Sequence, residues 1–211
     1  MGISFDEAKL AHPICLPSGE SVIVRAAGPR DAARIQAYIR GLSPASRQSR
    51  FLGSLNELSP SELDRMTRAE HGSGRTLIAE LARDGARAMI GEARYAIAPD
   101  RLGCEFAVSV AEAWRRRTLG SQLVAELVRR AKGLGIRYLF GDVLRSNEPM
   151  RALVRKLGGA ETAPIGDARL VRITKDLTLA HTSVAEVGPF GLPPCPHPDS
   201  LHEATAPLRG G

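Results

Sequence analysis

Apolar side chains recur along this chain at two spacings, and the order in which they alternate predicts helices set between the strands of one sheet. Residues 20–26, ESVIVRA, alternate and are rich in β-branched side chains, which predicts a strand. Pro29 suits the first turn of a helix. Ile35, Tyr38, Ile39 and Leu42 follow at i, i+3, i+4 and i+7, the stripe of an amphipathic helix. Ser43-Pro44 ends that helix and starts a short one through Arg47 and Phe51. Ser59-Pro60-Ser61-Glu62 is a capping box with proline at the first helical position, and the helix after it should bury Leu63 and Met66. His71-Gly72-Ser73-Gly74 breaks the chain. Two strands are expected beyond it, at about 76–81 and 88–97, with the hairpin signal Asp84-Gly85 between them.

Pro99-Asp100 and Gly103 make the next turn, into CEFAVSV at 104–110. Phe106, Val108 and Val110 share one face of that strand, and Glu105, Ala107 and Ser109 the other. A helix from about Thr118 carries Leu119, Leu123, Val124, Leu127, Val128 and Ala131, and ends near Gly133-Leu134-Gly135. Residues 136–143 form the following strand, so this unit should be strand–helix–strand with parallel pairing and a right-handed crossover. Asn147 is a good N-cap with Pro149 in the first turn. Met150, Leu153, Val154 and Leu157 stripe that helix, and Gly158-Gly159 stops it. A weaker strand pair is expected at 160–164 and 170–175. Residues 1–18 give no strong pattern. Six of the 14 prolines fall from Pro189 to Pro207, where apolar periodicity is lost, so 182–211 reads as an irregular tail.

Composition narrows the classes. No apolar run approaches the ~20 residues of a membrane helix, and the N-terminus lacks a basic region followed by an apolar core. Three scattered cysteines, Cys15, Cys104 and Cys195, argue against a disulfide framework or a zinc site, and a reducing cytoplasm fits them. No metal is called for. The net charge of +6 suits a polyanion or a phosphorylated cofactor. Aromatics at 4% give little base-stacking surface, which argues against nucleic acid.

The chemistry concentrates at 104–121. Arg115, Arg116 and Arg117 precede Thr118, Leu119 and Gly120 at the start of a helix. A helix N-terminus presents free N–H groups and partial positive charge, so this junction can cradle a phosphate. The arginines can equally form a solvated charge run. Cys104 reads as a small buried residue and not as a nucleophile. Trp114 reads as core or as a wall of the site.

EFAVSVAEAWRRRTLG, together with RGLSPASRQSRF, LSPSELDRMT and SNEPMRALVRKLG, resembles the GNAT superfamily of N-acetyltransferases. The match is most similar to the GNAT domain of bacterial Pat-type protein lysine acetyltransferases, and it covers about residues 20–177. It implies an α/β (α+β) GNAT fold, with a mixed central sheet of six to seven strands flanked by about four helices. The domain would span 19–178, between an N-terminal extension (1–18) and a Pro-rich tail (179–211). Pat-type proteins often carry a nucleotide-binding or ligase-like domain as well, and 211 residues leave room for neither.

The resemblance further implies acetyl-CoA as co-substrate and a primary amine as acceptor, on a protein lysine or a small molecule. Glu105 matches the family's catalytic glutamate and would be the general base, with Glu92 as second choice. The backbone of Phe106, Val108 and Val110 would pair with the pantetheine arm. Arg116, Thr118, Leu119, Gly120 and Ser121 would hold the pyrophosphate, with charge from Arg115 or Arg117, and Asn147 would touch the cofactor near its thiol. Other readings stand beside these. Glu105 can be a strand glutamate paired with Arg94, Asn147 only an N-cap, and His71 and Glu92 structural. Four positions depart from the family pattern: Thr118 and Arg116 stand where glycines are common, Val154 where many members have a tyrosine acid, and Gly159 where phenylalanine is usual. Thr118 and Gly159 feed an alternative: a non-catalytic module that binds acyl-CoA or a protein partner. A homodimer stays open.

Overall fold

The computed structural model describes residues 11–68, 74–83, 86–162 and 166–178. The expected Asp84-Gly85 turn, His71 and the 182–211 tail lie outside these. Among the described residues there are eight strands and five α-helices. Strand β1 is His12–Cys15 and β2 Ser21–Ala26; helices α1 (Ala32–Gly41), α2 (Pro44–Phe51) and α3 (Pro60–Thr67) follow. Next come β3 (Gly74–Arg83), β4 (Ala86–Ile97), β5 (Gly103–Val110), α4 (Leu119–Gly133), β6 (Tyr138–Leu144), α5 (Glu148–Lys156), β7 (Ala160–Thr162) and β8 (Leu170–Asp176). They build one mixed sheet in the order β1-β2-β3-β4-β5-β6-β8-β7. Every neighbouring pair is antiparallel except β5 and β6, which are parallel across the α4 crossover.

The sheet has one strand more than the six to seven expected, and the helices number five instead of about four. The added strand is β1, inside a stretch that carried no pattern. Its four residues are HPIC, and a proline breaks so short a run. At the edge of the sheet the missing N–H of Pro13 costs no ladder bond, while Ile14 and Leu16 are buried and hold the segment down. Cys15 is disulfide-bonded, whereas the scattered cysteines argued against a disulfide framework. No helix of the described residues is long and apolar enough to cross a membrane.

Two cores flank the sheet. Leu119, Leu123 and Leu127 of α4 pack on Val22, Leu77, Phe106 and Leu139 on one face. Ile35, Ile39, Leu42 and Met66 pack with Ile78 on the other. Full burial of each such aliphatic side chain contributes roughly 1.5–3 kcal/mol. The caps behave as their sequences require: the Ser59 side chain accepts from Glu62 N–H while Glu62 reaches back to Ser59 N–H.

Helix α5 ends in a Schellman turn. Gly158 has φ +73°, the Gly158 N–H donates to Arg155 O at 3.0 Å, and the Gly159 N–H to Val154 O at 2.8 Å. Gly159 then passes so close to β8 that a Cβ would stand 2.4 Å from Val154 Cγ1 and 2.7 Å from Thr174 O. Packing of α5 on β8 therefore demands glycine there, and the missing phenylalanine is no sign of a lost site. Gly159→Ala should destabilise the protein by about 2 kcal/mol through overpacking, read as a lower urea midpoint.

Candidate functional site

β5 and β6 pair over three residues only, Gly103–Glu105 against Tyr138–Phe140, and then part. β4 holds β5 along its length and β8 holds β6 along its length, so each strand is supported while the gap between them stays open. Gly141 stands at the fork. A Cβ there would lie 2.8 Å from Phe106 O, so glycine permits the backbones to meet. That contact also shows that the Phe106 carbonyl faces β6. Residues at i+2 share an edge, so Val108 and Val110 turn their N–H and C=O groups into the gap.

The gap opens into a cavity of about 880 Å³. Its walls are β5 from Phe106 to Val110, the first turns of α4 and α5, and the α2 residues Ser46, Ser49 and Arg50. Asp142, Val143 and Ile173 lie at its back. Among the sequence-predicted residues, Phe106, Val108, Val110, Arg115, Arg116, Thr118, Gly120, Ser121 and Asn147 line it. Glu105, Arg117 and Leu119 do not. Leu119 is fully buried in the core and can offer only its amide. Arg117 stacks 4.9 Å above the Trp114 ring and pairs with Glu20 at 3.3 Å, on the far side of the loop.

The loop into α4 explains the family departures. Arg116 has φ +59° and Thr118 φ +67°, the left-handed region that glycine enters freely. So the two substituted residues keep the backbone shape that glycines would give, at a conformational cost. Gln122 N–H makes the first bond of α4, to Thr118 O at 3.0 Å, which leaves the Leu119, Gly120 and Ser121 amides without a helical partner. Thr118 Oγ1 is buried with no hydrogen-bond partner among the described residues. A Cβ on Gly120 would meet only Leu153 and Val110 side chains, at 3.7 and 3.8 Å, so the protein itself does not require glycine there. Free amides, an orphaned hydroxyl and an unneeded glycine all border the cavity. Together they fit a pyrophosphate, with Arg116 supplying charge.

Arg115 is engaged elsewhere. Its Nη2 donates to Ser46 Oγ at 2.6 Å and its Nε to Val110 O at 3.2 Å. Ser43 N–H and Ser46 Oγ also donate to Glu112 Oε1. Burial pushes the Glu112 carboxyl up, but these hydrogen bonds outweigh it and hold the group down to about 2. Arg115 thus ties α2 to the α4 loop. Asn147 caps α5, its Oδ1 accepting from Met150 N–H at 3.3 Å, while still bordering the cavity.

The two candidate bases differ sharply. Glu92 is fully buried, takes two bonds from Arg50 and accepts from Ser109 Oγ at 2.9 Å. Tyr38 Oη in turn meets Ser109 Oγ at 3.0 Å. A carboxylate so enclosed cannot receive a proton from an incoming amine. Glu105 is exposed, at the last paired position before the fork. It is not taken up by Arg94, which donates to Arg65 O and Thr76 Oγ1, nor by Arg172, which clamps Asp142 through two 2.8 Å bonds. Val154 is buried in the core and offers no acid. Burial pushes the Cys104 thiol up to about 12, which removes it as a nucleophile.

Residues 45–159 match the family model described as Acetyltransferase (GNAT) family. The chain is 32% identical over 143 residues to the acetyltransferase PA5475 of Pseudomonas aeruginosa, covering 68% of this chain and 77% of that one. Its fold is similar to the crystal structure of the GNAT domain of S. lividans PAT, with a TM-score of 0.74 and 23% identity, across 82% of this chain and 99% of that one. A cAMP-binding acyltransferase from Mycobacterium smegmatis is similar in fold at a TM-score of 0.56 and 20% identity, over 83% of this chain and 50% of that one.

A β-branched residue in the left-handed region costs about 1–2 kcal/mol, against about 0.5–1 kcal/mol for the extra chain entropy of glycine. Relief of strain wins. Thr118→Gly should raise the melting temperature by about 1–3 °C in a calorimetric scan.

Proposed function

The chain belongs to the GNAT acetyltransferase family, and from that premise we propose that it transfers an acetyl group from acetyl-CoA directly to a primary amine, on a protein lysine or a small molecule, with Glu105 as general base. The observation that carries this is the forked β5–β6 pair: an open strand edge for an amide-bearing arm, leading to free α4 amides for a pyrophosphate.

In this reading Val108 offers its backbone N–H and C=O and Val110 its N–H along the gap, and Phe106 closes its floor. The Leu119, Gly120 and Ser121 amides, the Thr118 hydroxyl and Arg116 hold the phosphates. Asn147 orients the first turn of α5 at the other wall. An alkyl ammonium has a pKa of about 10.4, so near neutral pH it must lose a proton before it can attack. Glu105, directly or through one water, takes that proton. The amine then forms a C–N bond to the acetyl carbon as the C–S bond breaks, the thiolate leaves with the electron pair, and the second nitrogen proton passes to that thiolate. A thiol ionises near ~8.5, so the thiolate leaves without a dedicated acid, in keeping with valine at position 154.

Strain at Thr118 favours the second reading, a module that binds acyl-CoA without turnover. Two substitutions separate the readings. Glu105→Gln should lower kcat about 100-fold while leaving the acetyl-CoA Kd unchanged, as expected on losing a general base. An unchanged kcat would remove Glu105 from the chemistry. Gly120→Ala should leave the urea midpoint in place yet weaken acetyl-CoA about 10-fold in a calorimetric titration, because its methyl would crowd the ligand and not the protein.

A further inference from the structure

We propose that the acceptor is an amine carrying a nearby carboxylate, and that Arg50 and Arg94 recognise this carboxylate beside Glu105. The inference rests on the acetyl-transfer reading above and adds the acceptor's chemical class.

Arg50 lies on α2 and lines the cavity. Its Nε and Nη2 are spent on Glu92, and among the described residues Nη1 has no protein acceptor. The Arg50 side chain is 9% exposed and that of Glu92 not at all, so the pair is almost wholly dry. Burying an ion pair is rarely favourable for stability by itself. Here it presents one edge of a planar guanidinium, in a fixed orientation, to the cavity wall. A guanidinium edge of that kind is suited to an acceptor carboxylate.

Arg94 stands two residues after Glu92 on the same face of β4, across from Ala107, which also lines the cavity. Only its Nη1 is used, on Arg65 O and Thr76 Oγ1. No carboxylate among the described residues neutralises it. Burial and the Arg50 charge push its guanidinium down from the usual value, against the opposing charges of Glu92 and Glu105. Arg172, the third arginine near Glu105, is already neutralised by Asp142.

Charge points the same way: Arg94 feels the Arg50 charge, while Glu92 is spent on Arg50 and Asp142 on Arg172. Glu105 loses its charge when it takes the amine proton, so from that point in turnover it no longer offsets Arg94. An acceptor that brings a carboxylate supplies the missing anion. An acceptor flanked by lysine or arginine is repelled.

The test uses the full chain with acetyl-CoA and matched acceptors, following released CoA with a thiol reagent. One set is lysine pentapeptides with Asp, Ala or Arg on either side of the lysine. The other is 6-aminohexanoate against hexylamine. The carboxylate-bearing acceptor should exceed its neutral partner by about 10-fold in kcat/KM, less so at high salt. Arg94→Gln should bring the two within about 2-fold of each other. Fluorescent versions of the peptides, titrated onto CoA-saturated protein and read by anisotropy, report binding without chemistry. Equal turnover of acidic, neutral and basic acceptors overturns the inference and leaves acetyl transfer standing. Tighter binding of the acidic peptide with no turnover of any acceptor supports the inference and overturns transfer. Neither turnover nor a binding preference overturns both. A preference confined to the peptides identifies a polypeptide acceptor, and one confined to the small pair identifies an amino acid. The unsubstituted protein decides these outcomes even if the variant fails to fold.

Discussion

The whole site depends on backbone groups left unpaired inside a sheet. Buried N–H and C=O groups are costly unless they find partners, yet β5 and β6 stop bonding after three residue pairs. The fold tolerates this because β4 and β8 clamp the two strands from outside. It also needs a glycine at the fork, where Gly141 meets the Phe106 carbonyl. What is left is a strand edge inside the molecule, open to a ligand with amides of its own.

The loop into α4 shows how a motif and a backbone shape can come apart. The family pattern favours glycine because the chain must turn through the left-handed region. Arg116 and Thr118 make the same turn with side chains attached. The conformation survives because its surroundings over-determine it: Arg115 is tied to Ser46 and Val110, Trp114 is packed against the core, and α4 begins one residue later. Strain held this way concentrates where ligands bind. The orphaned Thr118 hydroxyl sits at the same place.

Glu92 and Glu105 show how burial sorts like residues into unlike tasks. Both are strand glutamates on the same face of neighbouring strands. Glu92 is enclosed by Arg50 and Ser109 and fixes the Arg50 guanidinium. Glu105, exposed at the fork, keeps its carboxylate available. The same network carries α2 into the site, since Arg50 and Ser46 are both bonded across to the sheet side.

Local pattern was enough to read most elements. The stripe of α1, the capping box of α3, the Asn147 cap and the double glycine after α5 all act within a turn or two of chain, so their physics is written in adjacent residues. β1 was hidden because only a sheet edge makes room for its proline. The parallel β5–β6 unit and the cradle at α4 were legible as a motif, and most of the residues expected to touch the ligand do line the cavity. The α2 wall was not legible. Arg50 meets Glu92 across 42 positions, Arg115 meets Ser46 across 69 and Tyr38 meets Ser109 across 71. The sequence alone determined where most strands and helices and the first turn of α4 fall. Only the tertiary structure decided which glutamate is buried, which is exposed and which segments wall the cavity, because burial and pairing depend on what distant segments bring alongside.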